Sequence, residues 1–207
     1  MFASRSLVLG THNVKKAREL RFVLEPRGFQ VLTLADFDSA IEVEEKGSTF
    51  AENAVLKASQ QARHLKRWVL AEDSGLSVDA LDGRPGVYSA RFSGEDATDA
   101  RNNELLLDKL NGTPINQRTA HYVCHVALAD PAGIIRLECE ATCSGRIRTE
   151  PAGNAGFGYD PVFEIVEYHR TFGELGDAVK SLLSHRGRAL RLVIPRLVEL
   201  ADSGHWR

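Results

Sequence analysis

Cysteine is scarce in this chain: Cys124, Cys139 and Cys143 are the three in 207 residues. The odd count excludes a fully paired disulfide framework, and the spacing is not that of a zinc site. They read as reduced, structural thiols in or near strands. No apolar run approaches the roughly 20 residues a membrane-crossing helix needs, so no membrane partner is expected. A charge excess is also lacking. Lys and Arg number 26 against 28 Asp and Glu, for a net charge of -2. There is no broad basic field and no strip of interleaved basic and aromatic residues, which argues against a nucleic-acid partner. Arg5 precedes only a short apolar run, 7–9, that ends at Gly10. That is too short for a secretory leader, and a cytoplasmic location is expected. Internal repeats and low-complexity tracts are absent. So is the glycine-rich loop with Lys-Ser/Thr of common nucleoside triphosphatases. Ser184 beside His185 does not by itself make a hydrolase triad.

What remains is the composition of a globular protein, 43% hydrophobic and 26% charged, long enough for one or two compact domains. Residues 7–9 read as a strand, 14–24 as a helix and 29–34 as a strand. The helix carries Val14, Ala17, Leu20, Val23 and Leu24 near a 3.6-residue period and stops at Pro26 and Gly28. This strand-helix-strand unit favours a parallel sheet. Residues 37–46 are polar and loop-like. Thr49 and Glu52 have capping-box spacing ahead of an alanine-rich helix, 50–65. Residues 68–71 form the next strand, ending in a turn at Glu72-Asp73. Residues 78–93 read as an ordered, glycine-shaped loop and 98–110 as a helix banded by Leu105, Leu106, Leu107 and Leu110. Residues 122–129 and 134–142 read as an antiparallel hairpin around Asp130-Pro131-Ala132-Gly133. A last helix, 187–200, presents Leu190, Leu192, Val193 and Leu197. The fold class is α/β: an elongated mixed sheet with flanking helices, and two lobes around a central substrate cleft as one arrangement.

Chemistry concentrates in five short stretches and one lysine. Ala71-Glu72-Asp73-Ser74-Gly75 delivers two carboxylates after an apolar run, and Glu42, Glu44 and Glu45 precede Lys46-Gly47. Together they suit a divalent cation, because Mg²⁺ takes hard oxygen ligands and usually keeps waters and substrate phosphates. The same acids also read as solvated side chains near turns. Thr11, Asn13, Lys15 and Lys16 lie at a strand-to-helix junction, where free backbone N–H groups favour anions; a helix cap with a solvent-facing lysine pair is the plainer reading. Lys57 lies on the intervening helix. Gly153, Gly156 and Gly158 bracket Phe157 ahead of Tyr159-Asp160-Pro161, and Ser184-His185-Arg186 precedes the last helix. An aromatic face there can stack on a base while polar groups read its edge. A loop anchored by core aromatics, with Ser184 as a helix cap, accounts for the same residues.

Six segments, in order, carry a family resemblance. They are Thr11-His12-Asn13-Val14-Lys15-Lys16, Gly47-Ser48-Thr49-Phe50-Ala51-Glu52-Asn53, Ala71-Glu72-Asp73-Ser74-Gly75-Leu76, Pro85-Gly86-Val87-Tyr88-Ser89-Ala90-Arg91, Gly156-Phe157-Gly158-Tyr159-Asp160-Pro161 and Ser184-His185-Arg186. The chain resembles the inosine triphosphate pyrophosphatase, or Ham1-like, family from about residue 7 to 200. The resemblance implies one such domain over 1–207, with two lobes, usually a homodimer. It implies hydrolysis of the non-canonical purine nucleotides ITP, dITP and XTP to nucleoside monophosphate and pyrophosphate, with Mg²⁺ as cofactor, in nucleotide-pool cleansing. Carried over by motif, Thr11, Asn13 and Lys16 meet the triphosphate and Lys57 neutralises it. Glu45 and Asp73 hold Mg²⁺, Asp73 activates water, and Lys16 and Glu45 complete the catalytic set. Ser74 and Gly75 extend the phosphate cradle. Phe157 stacks on the purine beside Gly158 and Tyr159, Asp160, His185 and Arg186 surround its polar edge, and Lys180 meets base or phosphate. The chain departs from the family pattern at Lys15, where glycine is common, at Glu72, where aspartate is frequent, and at Asp177-Ala178-Val179. Another nucleotide preference, or a silent nucleotide binder, are the rival readings.

Overall fold

A parallel β-α-β unit opens the computed structural model, which describes residues 5–204 and residue 206. Strand β1 (Arg5–Leu9), helix α1 (Val14–Leu24) and strand β2 (Phe29–Thr33) form it, with Leu7 opposite Val31. Asn13 starts α1: its Oδ1 accepts the N–H groups of Lys15 and Lys16 at 3.0 and 3.1 Å, satisfying two of the helix's orphan donors. Ala17, Leu20 and Leu24 face inward, whereas Val14 is 80% exposed. At the first helical position there is no preceding turn for its side chain to lie over. Gly28 turns the chain into β2 at φ +82°, a conformation glycine adopts at little cost.

Helix α2 (Phe50–Leu65) begins at the expected capping box, with the Glu52 N–H donating to Thr49 Oγ1 at 3.1 Å. Its Ala54, Ala58 and Ala62 are wholly buried against Val8, Val69, Ala71, Ala127 and Ala129. Strand β3 (Val69–Val78) corrects the sequence reading. Glu72 and Asp73 do not sit in a turn; the strand runs through them to Leu76 and Val78, both fully buried. A charged pair breaks a strand pattern only while unpaired, and both of these are paired.

Seven strands are hydrogen-bonded in the order β2-β1-β3-β4-β5-β6-β7, a mixed sheet flanked by helices. The remaining elements are α3 (Asp99–Lys109), β4 (Thr119–Ala129), β5 (Ile135–Ile147), β6 (Phe163–Ile165), β7 (Arg170–Thr171), α4 (Phe172–Leu183) and α5 (His185–Asp202). β1 is parallel to β2 and β3, while β5-β6 and β6-β7 are antiparallel. The Asp130–Gly133 turn joins β4 to β5 as expected, but both strands extend further than their alternation suggested. Leu190, Val193 and Leu197 line the buried face of α5; Leu192, expected with them, is 55% exposed. Two compact units share the chain. One comprises residues up to Asp73, His125–Glu140 and Ala189 onward; the other comprises Ser74–Cys124 and Ala141–Arg188. In the second, Tyr122, Phe163 and Phe172 pack ring to ring, with Tyr122–Phe163 centroids 4.6 Å apart and Phe163–Phe172 centroids 5.6 Å apart. Among the described residues no helix is long and apolar enough to cross a membrane.

Candidate active site

Adjacent residues on a strand point to opposite faces. Glu72 and Asp73 therefore serve two different helices. The connections β1-α1-β2 and β2-α2-β3 run in opposite directions across the order β2-β1-β3, so right-handed crossovers put α1 and α2 on opposite faces. Glu72, 2% exposed, meets Lys16 of α1 at 3.2 Å. Asp73, 7% exposed, accepts from Lys57 Nζ of α2 at 2.8 Å. The same ammonium donates to Glu45 Oε1 at 3.2 Å. The acidic loop and β3 thus converge on the Lys57 ammonium, where the sequence reading expected Glu45 and Asp73 to share Mg²⁺ and Lys57 to meet phosphate.

Asn53, to which the sequence reading gave no separate role, orients Asp73. Its Nδ2 donates to Asp73 Oδ2 at 3.3 Å, while its Oδ1 accepts the Gly47 N–H at 2.8 Å. Gly47 fits there because it lacks a side chain: a Cβ would lie 2.6 Å from Asn53 Oδ1 and 2.7 Å from Glu52 Cβ. The Gly47-to-Asn53 segment is therefore a device that caps α2 and aims a buried amide at Asp73. Thr11 Oγ1 accepts the Asn13 N–H at 3.1 Å, and Asn13 in turn caps α1, so both shape the junction that carries Lys16.

Glu45 and Asp73 both approach the Lys57 ammonium. Among the described residues no group of three or more His, Cys, Asp or Glu gathers to hold a metal. Two carboxylates nevertheless suit Mg²⁺, which binds through one or two carboxylates and completes its shell with water and phosphate oxygens.

The second unit holds the base-loop aromatic Phe157 and its cations. Asp160 Oδ2 accepts the Phe157 N–H at 2.7 Å and Lys180 Nζ at 2.5 Å. The Lys180 ammonium lies 3.9 Å from the Phe157 ring centroid and the Arg186 guanidinium 5.7 Å from it. Arg186 Nη2 also donates to Ser74 Oγ at 3.2 Å. His185 stacks on Tyr122, centroids 4.6 Å apart and planes 11° from parallel. Burial pushes the Tyr122 hydroxyl well above its ordinary pKa, and the charge of Asp160 adds to this. Ser184 caps α5, its Oγ accepting the Gly187 N–H at 3.2 Å, so His185 and Arg186 sit in the helix's first turn. Gly156, at φ +77°, leaves room for Asp160: a Cβ there would lie 2.0 Å from Asp160 Oδ2.

Tyr159 stands apart from this cluster. It is 3% exposed and its hydroxyl donates to the Ser89 carbonyl at 2.8 Å, so it anchors the loop to the core. Burial, then the charge of Asp99, raises its pKa far above the ordinary tyrosine value. Gly158 meets α3 rather than the cations: its N–H donates to Asp99 Oδ2 at 2.9 Å.

A family model described as the Ham1 family matches residues 7–196. The chain belongs to the Ham1 family. Ham1 relatives called dITP/XTP pyrophosphatase include one from Rhodopirellula baltica, 56% identical over 197 residues and covering 95% of each chain. Another, from Geobacillus kaustophilus, is 52% identical over 90% of this chain and 91% of its own. A solved Ham1 protein from Coxiella burnetii superposes with a TM-score of 0.87 at 36% identity, covering 94% of this chain and 98% of that one. The Staphylococcus aureus Ham1 protein gives 0.84 at 36% identity, with 93% and 97% covered. This Ham1 chain keeps the paired carboxylates and lysines despite its departures. Glu72 buries its carboxylate on Lys16, and Lys15 is exposed on α1.

Proposed function

We propose that this chain hydrolyses non-canonical purine nucleoside triphosphates (ITP, dITP and XTP) to the monophosphate and pyrophosphate, clearing deaminated purines from the nucleotide pool. Family membership supports the activity, and the observation that carries it to particular residues is the Lys57 ammonium held between Asp73 and Glu45. This set carries one carboxylate in excess of its ammonium, which leaves charge for a divalent cation beside a polyphosphate, with the lysine ready to exchange carboxylate for phosphate oxygens. We assign the protein as a homodimer, as the family resemblance implies.

Lys16, Lys57 and the Asn13 amide bind the phosphates. Asp73 accepts the proton of a water whose oxygen attacks the α-phosphorus. The bond from that phosphorus to its bridging oxygen breaks, and pyrophosphate leaves with the electron pair. Asn53 holds Asp73 in orientation. Glu45 and Asp73 would hold Mg²⁺, which supplies neutralisation of phosphate charge when bound. Phe157 takes the purine face. Lys180 and Arg186 present donors suited to an acceptor O6, whereas the adenine amino group would face donors and lose its hydrogen bonds to water.

The deciding assay measures pyrophosphate release from ITP, dITP, XTP, GTP, ATP and dUTP, each with Mg²⁺ or EDTA. Turnover led by the first three, abolished by EDTA, with one pyrophosphate per monophosphate, is expected. Turnover led by dUTP overturns the purine assignment. No release from folded, Mg²⁺-supplemented protein makes it a silent binder.

A further inference from the structure

Two adjacent asparagines, Asn102 and Asn103, lie inside α3, where asparagine is a poor helix former. Both are buried, at 3% and 9% exposure. Burial of an amide is tolerated where its hydrogen bonds are made. Asn102 Oδ1 accepts from the Ser93 N–H and hydroxyl, both at 2.8 Å, and its Nδ2 donates to the Ala90 carbonyl at 3.1 Å. Asn103 meets that condition only in part: its Nδ2 donates to the Gly158 carbonyl at 2.9 Å, while its buried Oδ1 has no hydrogen-bond partner among the described residues. Asp99, one turn earlier on the same face, accepts the Gly158 N–H at 2.9 Å. One residue of the base loop is therefore gripped at both its N–H and its C=O by a single helix. That residue sits at φ +63°, next to Phe157, whose own N–H is held by Asp160. Thr98 caps the helix, its Oγ1 accepting the Arg101 N–H at 3.2 Å, so the grip rests on a well-started element.

We propose that Asp99 and Asn103 are positioning residues that set the orientation of Phe157 for the purine, an inference that rests on the purine-stacking role given to Phe157 above. Stacking depends on the plane and offset of the ring. A glycine-flanked loop holds neither unless its backbone is tied. Asp99 and Asn103 touch backbone, not nucleotide, so they act on the binding of the base rather than on the attack at phosphorus. Asp99 is exposed, so it can be changed without opening the core.

The experiment compares Asp99→Ala, Asn103→Ala and Asp99→Asn with the wild type, measuring KM and kcat for ITP, the Kd of IMP by calorimetry, and the melting temperature. Loss of one such hydrogen bond is expected to raise both KM and Kd by about tenfold. The kcat should stay within about twofold. Asp99→Asn keeps an acceptor oxygen and should restore most of the loss, while a merely structural role would move the melting temperature and leave Kd unchanged. Wild-type KM and Kd in Asp99→Ala and Asn103→Ala overturn the proposal, and so does an equal defect in Asp99→Asn. If Asn103→Ala fails to fold, Asp99→Ala decides alone. Absence of turnover in the wild type would remove the pyrophosphatase reading, while the IMP affinities would still test the clamp. Wild-type protein that binds no IMP removes both.

Discussion

Asp73 receives an ammonium on one oxygen and an amide on the other. Replacing it by asparagine keeps the shape and removes the base. Turnover of ITP should fall by about 10²- to 10⁴-fold, with nucleotide affinity largely kept; steady-state kinetics and calorimetry on Asp73→Asn check both. Phe157→Ala should instead raise KM far more than it lowers kcat, because it removes stacking area and no reacting group. At this scale the sequence was legible where residue type is dictated by chemistry. The carboxylates, lysines and Phe157 could all be named from it. Asn53, Asn103 and Asp99 could not be given roles, because an amide or acid that binds backbone leaves no spacing signature; the one hint was a pair of asparagines inside a leucine-banded helix. The cysteines follow the same logic of surroundings. Burial pushes the Cys139 and Cys143 thiols up to about 11 each, so both remain protonated at neutral pH. Iodoacetamide at pH 8 should leave them unmodified in the native protein and label them after denaturation, as mass spectrometry would read.

Helix α2 ties its own stability to the aim of Asp73, since Thr49, Glu52, Gly47 and Asn53 all belong to one capping segment. Thr49→Ala should cost about 1 kcal/mol, measurable in urea melts. The Ser48 backbone N–H, then its hydroxyl, hold the Glu52 carboxyl below its usual 4.5, against an opposing effect of burial. A depressed native pKa gives stability that is present above the unfolded value and lost as pH falls through the native one. The difference in urea midpoint between wild type and Glu52→Gln should therefore be full at pH 7 and shrink in acid below about pH 4.5, as circular dichroism would follow. Elements with a strong period were legible: α1 and α2 match their expected bounds. β6 and β7 were not, since two or three residues carry no period. β3 was cut short because Glu72 and Asp73 look like a strand end until Lys16 and Lys57 are known to meet them.

Each compact unit has its own apolar cluster, one around Val8, Val69 and Ala127 and one around Tyr122, Phe163 and Phe172. Phe163 is fully buried, and Phe163→Ala should destabilise the protein by about 3–5 kcal/mol, read from guanidinium denaturation. Strand order could not be read from the sequence, because it is set by pairings between distant segments, such as Val8 with Val69, rather than by local pattern. The alternation of Glu72 and Asp73 has a consequence for inheritance. Removing or adding a single residue in β3 just before them, with strand register otherwise kept, exchanges the faces on which the two acids emerge. After a deletion aspartate would confront Lys16, and after an insertion glutamate would confront Lys57, while the other acid would emerge two residues out of place along the strand. The placement of these acids is stored as odd or even position along one strand. A change of length there therefore separates the acids from Lys16 and Lys57 even when the residue added or removed is itself innocuous.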